Sequence, residues 1–522
     1  MELQNLSQIE KATRFGRPEM FRFGVALLFV ILIMLVAGIN LGDVPQSYML
    51  IIAAMIGGYM AMNIGANDVA NNVGPAVGSK ALTLAGAIAI AAVFEASGAL
   101  IAGGDVVTTI KSGIIDPARI DDPDTFIWLM MAALLAGALW LNLATALGAP
   151  VSTTHSIVGG VLGAGVAAGG LGIANWGNLA QIAASWVLSP VLGGVIAAGI
   201  LYLIKRTITY QENIRAAAQK VVPLLIAAMA WAFATYLLLK GVKRLWPMGF
   251  GSALLIGLGL AAAVYFLVRP VVAARAASLP PDKAGVNRLF TVPLIFAAAL
   301  LSFAHGANDV ANAVGPLAAI NDAILHGGIS GKAAIPLWVM LVGAIGIAIG
   351  LALYGPKLIR TVGSEITELD QMRAYCIAMA AALTVIMATQ LGLPVSSTHI
   401  AVGAVFGVGF LREFLKASYS KMVAEIRAHH QGRDEAEVTA FLNEFRKATV
   451  TKKGRMLQQL KEHSASADLS KKERKGLKRV YKTELVKRSA LLRIVAAWLI
   501  TVPVSALLAA LIFFTIRGIM LP

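Results

Sequence analysis

Two short strings of residues, each present twice, carry the chemical content of this chain. Gly65-Ala-Asn-Asp-Val-Ala-Asn-Asn-Val-Gly-Pro75 returns as Gly306-Ala-Asn-Asp-Val-Ala-Asn-Ala-Val-Gly-Pro316, identical at ten of eleven positions with an offset of 241. Leu147-Gly-Ala-Pro-Val-Ser-Thr-Thr-His155 returns as Leu391-Gly-Leu-Pro-Val-Ser-Ser-Thr-His399, matching at seven of nine with an offset of 244. A weaker echo relates Trp186-Val-Leu-Ser-Pro190 to Trp498-Leu-Ile-Thr-Val-Pro503.

The first motif sets Asn and Asp in an apolar run, where a centrally placed Asp costs about 3 kcal/mol to insert into a bilayer. Such residues line a polar cavity or bind something. On a helix Asn67 and Asn71 share a face, as do Asn308 and Asn312, with Asp68 and Asp309 beside them. Gly65, Gly74, Gly306 and Gly315, with Pro75 and Pro316, predict interrupted helices whose ends free carbonyl oxygens. Those carbonyls, with the side chains of Asn67, Asp68, Asn308 and Asp309, are hard oxygen ligands suited to Na⁺. Helix packing through Gly and Asn is the competing reading, and near-identical duplication weighs against it.

The second motif has the opposite character. Pro150 and Pro394 suit the first turn of a helix, which gathers the hydroxyls of Ser152, Thr153, Thr154, Ser396, Ser397 and Thr398 at two helix starts. First-turn N–H groups lack intrahelical partners and lie at the positive dipole end, so each start is an anion site. Two together could enclose one tetrahedral oxyanion. Capping and back-bonding to the helix is the alternative use of the hydroxyls. His155 and His399, one turn in, are either packing residues or carriers of a proton. His305 precedes only the second Asn-Asp motif and is read as structural. Glu95, isolated in Val93-Phe-Glu-Ala-Ser97, is read as a coupling acid. Lys80 and Lys111 lie near predicted helix ends, where their stems should snorkel to water.

These motifs need a scaffold, and composition names its class. The chain has 522 residues, 58% hydrophobic and 14% charged, with mean hydropathy +0.75; soluble domains carry about 25% charged residues. That excludes a disulfide scaffold, a disordered chain and an ordinary cytosolic enzyme. It predicts an all-α polytopic membrane protein. A span takes about 20 apolar residues. Apolar runs fall near 22–40, 48–65, 82–103, 127–148, 151–172, 181–204, 220–240, 249–268, 289–306, 335–356, 374–392, 395–411 and 489–517, about 12–13 segments. The run from Phe23 to Ile39 lacks a small-residue cleavage site and is read as a span, not a signal peptide. Cys376 is the single cysteine, so no internal disulfide forms.

The net charge of +16 is uneven: residues 412–488 hold 20 Lys/Arg and 10 Asp/Glu, a surplus of +10. The basic balance is therefore one polar insert and not a nucleic-acid surface. Lys11, Arg14, Arg17 and Arg22 put the N-terminus inside. The loop 105–126, with Asp105, Asp116, Asp121, Asp122 and Asp124, then falls outside, and the insert inside. Lys240, Lys243 and Arg244 fall outside and fit poorly. The expected organisation is an N-terminal region 1–47 with an extra span, repeat one at 48–206, linker spans at 207–288, and repeat two at 289–517 interrupted by the cytoplasmic insert 412–488. Seven span steps separate the Asn-Asp copies. An odd number implies two inverted-topology repeats with broken or re-entrant helices, the plan of secondary transporters.

The paired Gly-Ala-Asn-Asp-Val-Ala-Asn and Pro-Val-Ser-Ser/Thr-Thr-His motifs resemble those of the inorganic phosphate transporter (PiT) family over about 48–517. The resemblance implies a phosphate permease, dimeric in a bacterial inner membrane, contacting membrane lipid, driven by Na⁺ or H⁺ and using no cofactor. Family ion and substrate roles would then fall on Asn67, Asp68, Asn71, Asn308, Asp309, Asn312 and the two Ser/Thr clusters. The motif wording is closer to the sodium-coupled branch. The extra segment 22–40 and the late position of the insert depart from the family pattern. Sulfate is the alternative anion. A divalent metal carrier built on His155, His305, His399 and the two Asp residues is a further alternative, as is an intramembrane hydrolase, although Gly-x-Ser-x-Gly is missing.

Overall fold

The structure, a computed structural model, describes residues 2–41, 46–120, 122–241, 248–326, 335–365, 369–429, 444 and 488–521. Within these the chain is α-helical, apart from short helical turns and an isolated bridge between Ile115 and Ala174. Twelve helical stretches among the described residues are long and apolar enough to cross a membrane. The chain is an all-α polytopic membrane protein. The run expected at 151–172 does not qualify alone. Its helix, Thr153–Gly169, has 17 residues, about 26 Å at 1.5 Å per residue, short of a hydrocarbon core of about 30 Å. Most of the basic insert, from residue 430 to 487, lies outside the described residues.

The helices are α1 (Glu2–Leu41), α2 (Ser47–Asn67), α3 (Val69–Gly78), α4 (Leu84–Ala102), α5 (Gly104–Ser112), α6 (Pro123–Leu147), α7 (Thr153–Gly169) and α8 (Trp176–Ile204). Next come α9 (Ile214–Lys240), α10 (Phe250–Ala277), α11 (Lys283–Leu289), α12 (Thr291–Asp309) and α13 (Ala311–His326). The last are α14 (Leu337–Glu365), α15 (Gln371–Gln390), α16 (Ser397–His429) and α17 (Arg488–Met520). Local signals set the ends. Asp122 caps α6 by accepting from the N–H groups of Asp124 and Thr125, with Pro123 at the first position, and the helix stops at Gly148, whose φ is 73°. Slight burial raises the Asp122 carboxyl, but those N–H groups and the Thr125 hydroxyl outweigh it and hold it below the usual range.

The two motif-bearing halves interlock. Helix α2 packs on α14 and α12 on α4, while α7 packs on α17 and α8 on α16. Glycines allow this closeness. A Cβ on Gly65 would strike the carbonyl of Ile347, and one on Gly306 the carbonyl of Glu95. Gly163 meets the Ala506 carbonyl and Gly407 the Gly194 carbonyl in the same way. Small residues at helix interfaces are how backbones approach when lipid offers no hydrophobic drive between helices.

Two lysines depart from the sequence reading. Lys111 does not snorkel: α5 packs on α13, burying its Nζ 2.9 Å from Asp322 Oδ2. A position near a predicted span end therefore lies away from water. Lys240, awkward by sequence, pairs with Asp105 of the acidic loop, so the two lie at the same end of the bundle.

The α8–α16 contact supplies a stability prediction. Gly407→Val should force the helices apart and cost about 1–3 kcal/mol, lowering the thermal midpoint in detergent. Gly199→Val on α8, where no atom lies within 4 Å of the added Cβ, should leave it nearly unchanged. Equal midpoints for the two variants would contradict the packing described.

Candidate functional site

The Asn-Asp motifs sit where two long helical stretches falter. Residues Ser47–Gly78 and Thr291–His326 each run as one apolar length, but α2 yields to α3 at Asp68, and α12 to α13 at Val310. The interruption expected at the glycines and prolines thus lies at the Asp itself or its neighbour. Pro75 and Pro316 lie further on, within α3 and α13. Having no N–H, they cannot donate to the carbonyls four residues back, those of Asn71 and Asn312.

Pro150 and Pro394 are not in a first turn. Both lie in extended linkers, between Gly148 and the start of α7 and between Gly392 and the start of α16. The motif Asn side chains hold these linkers. Asn67 Nδ2 donates to Thr145 Oγ1 (2.9 Å) and the Ala149 carbonyl (3.2 Å), and its Oδ1 accepts from the Val151 N–H (3.1 Å). Asn308 repeats the bracket with Thr389 Oγ1 (3.0 Å), the Leu393 carbonyl (3.1 Å) and the Val395 N–H (3.4 Å). Linker backbone, which cannot pair within a helix, is satisfied this way inside the bundle.

Ser152 and Ser396 cap the helices, their Oγ atoms accepting from the N–H groups of His155 (3.1 Å) and His399 (3.2 Å). The hydroxyls beyond them turn onto the two acids. Thr153 Oγ1 donates to Asp68 Oδ2 at 2.6 Å and lies 3.3 Å from Asp309 Oδ2. Thr398 Oγ1 lies 3.0 Å from Asp68 Oδ1, and Ser397 Oγ 3.5 Å from Asp309 Oδ2. Asn71 Nδ2 reaches Thr398 Oγ1 (2.8 Å), and Asn312 Nδ2 reaches Thr153 Oγ1 (3.1 Å) and Thr154 Oγ1 (3.3 Å). Thr154 Oγ1 donates to the Val395 carbonyl across the halves (2.9 Å). All these side chains are buried.

One class of atom is left over. Asn71 Oδ1, Asn312 Oδ1 and Asp309 Oδ1 are buried acceptors with no donor among the described residues. One ligand atom each from Asp68, His305 and Asp309 fall within 4.8 Å of one another. Surplus acceptor oxygens around two carboxylates suit a hard cation, and the helix starts opposite suit an anion.

His305, read as structural from sequence, joins this cluster. Its Nδ1 is 2.6 Å from Glu95 Oε2 and its Nε2 3.2 Å from Asp309 Oδ2, all fully buried. Asn72 Nδ2 donates to the other Glu95 oxygen at 2.7 Å. A chain Asn72–Glu95–His305–Asp309 results, and it exists on one side only. The offset of 241 sets Ile64 opposite His305 and Ala313 opposite Asn72. Ile347, whose carbonyl meets Gly65 as that of Glu95 meets Gly306, stands opposite Glu95. The available signal was the i, i+4 spacing of His305 and Asp309, together with the need of isolated Glu95 for a partner.

His155 and His399 pack ring against ring, centroids 4.4 Å apart and planes tilted by 42°, between Trp186 (3.7 Å from His155) and Trp498 (3.6 Å from His399). The weak tryptophan echo thus supplies the two ends of one ring stack spanning both halves.

The model of the phosphate transporter family matches residues 64–509. A protein of Helicobacter pylori strain J99 named as a phosphate permease is 55% identical over 98% of both chains. A Pyrococcus abyssi protein of the same name is 39% identical over 72% of this chain and 92% of its own. A solved structure titled the sodium-dependent phosphate transporter is 31% identical and superposes with a TM-score of 0.74, covering 91% of this chain and all of the other. With its span-length helices and these relatives, the chain is an integral membrane protein that belongs to the phosphate transporter family.

Proposed function

We propose that the protein imports inorganic phosphate by cation symport, with Na⁺ as the favoured cation, across the cytoplasmic membrane of a bacterial cell. The observation that carries this reading is the meeting of two buried carboxylates with the hydroxyl-bearing starts of α7 and α16. An oxyanion held at those helix starts would lie against Asp68 and Asp309, and like charges repel strongly at low dielectric. The anion therefore needs a cation between it and the acids, which is coupling in electrostatic form. Thr153, Thr154, Ser397 and Thr398 serve the anion in this reading, with Ser152 and Ser396 shaping the helix starts. Asp68, Asp309, Asn71 and Asn312 serve the cation. Asn67 and Asn308 contribute by holding the linkers, and Glu95 acts on Asp309 through His305. No hydrolytic step is needed. The matched motif contacts support two repeats that meet at the site, which we propose are inverted in topology as in secondary transporters.

Labelled phosphate uptake in proteoliposomes, with Na⁺ and pH gradients varied separately, tests the reading. Sulfate or divalent metal accumulating in place of phosphate would replace it. Asp68→Asn and Asp309→Asn should each abolish concentrative uptake while the protein still inserts. Either variant retaining wild-type uptake at limiting cation would remove that acid from the coupling site.

Alanine at Thr153, Ser397 or Thr398 should raise the apparent KM for phosphate by roughly 5- to 150-fold, the range for losing hydrogen bonds of about 1–3 kcal/mol. Ser152→Ala and Ser396→Ala should instead act first on stability, at about 1 kcal/mol for a lost cap. Unchanged phosphate affinity in the first three would take those hydroxyls out of the site.

Charge transfer gives a further check. At about −100 mV, each negative charge moved inward costs about 2.3 kcal/mol, so divalent phosphate opposes import by about 4.6 kcal/mol. At least as many cations as anion charges must accompany it, and two or more per phosphate are expected. Phosphate-evoked current in reconstituted membranes should be zero or carry positive charge inward. Net negative charge entering would refute this stoichiometry.

A further inference from the structure

A cavity of about 970 Å³ opens between α1, α2, α6 and α14. Its inner wall includes Asn63, Ala66 and Thr145. Thr145 Oγ1 is the acceptor for Asn67 Nδ2 at 2.9 Å, so the chamber ends at the bracket holding the α6–α7 linker. Its outer wall carries Arg22 from α1 and Lys357 and Arg360 from α14, with Glu19 the one carboxylate among the described lining residues and the Tyr354 phenol among them. Glu19 is largely committed, its Oε1 lying 3.1 Å from Arg22 Nη1. Lys357 Nζ donates to the Ala146 carbonyl at 2.9 Å, which ties this cationic wall to the end of α6 beside Thr145. None of these cations belongs to either repeated motif, and Arg22 comes from the helix that precedes the first repeat.

We infer that this chamber is a second binding site for a tetrahedral phosphate-type oxyanion, a staging site that Arg22, Lys357 and Arg360 form outside the central one. The inference rests on the phosphate reading above. Three cations against one carboxylate give a positive field, and a cleft with low-dielectric walls concentrates it. Guanidinium forks suit phosphate oxygens bidentately, and a Lys adds a point charge. The lining has Thr145 at the linker bracket and the three cations at its other wall, so an anion that reached the central site by way of this chamber would pass those cations. The same chemistry could come from a phospholipid headgroup. An apolar crevice of about 420 Å³ between α1 and α14, lined by Phe29, Ile33 and Trp338 among others, lies next along α1 and would suit an acyl chain.

The native cysteine permits a direct test, since Cys376 is fully buried. Ala26→Cys on the chamber wall introduces a thiol, whose labelling by a membrane-impermeant maleimide is followed in vesicles of neutral phosphatidylcholine. Inorganic phosphate should slow the labelling, and gluconate at equal ionic strength should not. Adding Arg22→Gln, Lys357→Gln or Arg360→Gln should raise the half-protecting phosphate concentration by about fivefold each, the effect of a weakened solvent-accessible ion contact of roughly 1 kcal/mol. The triple variant should lose protection. Protection that persists in the triple variant would overturn the inference. So would labelling that ignores phosphate but slows when anionic phosphatidylglycerol is added, since the occupant would then be lipid. Phosphate uptake by the same vesicles is scored separately: uptake without protection refutes only the staging site, and no uptake refutes the parent reading as well.

Discussion

Everything in this bundle answers to two buried carboxylates close together inside a membrane protein. Asp68 and Asp309 are at most 1% exposed, and an uncompensated charge at such depth is costly. Helix starts, hydroxyls and amides from both halves are arranged around them. Thr153 approaches both acids, and Thr398 brings the far half to Asp68. These donors only partly offset the charge. What they leave, acceptor oxygens on Asn71, Asn312 and Asp309 without donors among the described residues, is where a cation would sit in the proposed symport.

Non-helical linkers are the means by which helix starts reach the interior. Extended backbone at membrane depth survives only when protein satisfies its polar groups, and Asn67 and Asn308 do so with matched bonds. The same residue that looks in sequence like a ligand is in space a bracket for the linker. Its loss would misplace α7 or α16, so transport defects at these Asn residues report on positioning as well as on binding.

Duplication does not make the two sides equal. Glu95, His305 and Asn72 build a polar chain to Asp309, whereas Ile347, Ile64 and Ala313 fill the matching place on the side of Asp68. In the proposed symport, two acids with different neighbours would hold a cation with different strength. The sides therefore need not fill in the same order, and an asymmetric core is compatible with a nearly symmetric frame.

Membrane character, helical class and the polar residues out of place in an apolar chain were legible in the sequence, because insertion cost and hydropathy act residue by residue along the chain. Asp68, Asp309 and the Ser/Thr clusters stood out for that reason, and doubling set them apart from chance. Tertiary structure alone decided which atoms meet. Pro150 and Pro394 lie in linkers because the Asn brackets across the bundle hold that backbone extended. Lys111 finds Asp322 because α5 packs on α13. His305 gains Glu95, 210 residues away, and His155 packs against His399 between two tryptophans from different halves. Such pairings depend on helix crossings set by glycine contacts far apart in sequence, and local pattern holds no record of a crossing.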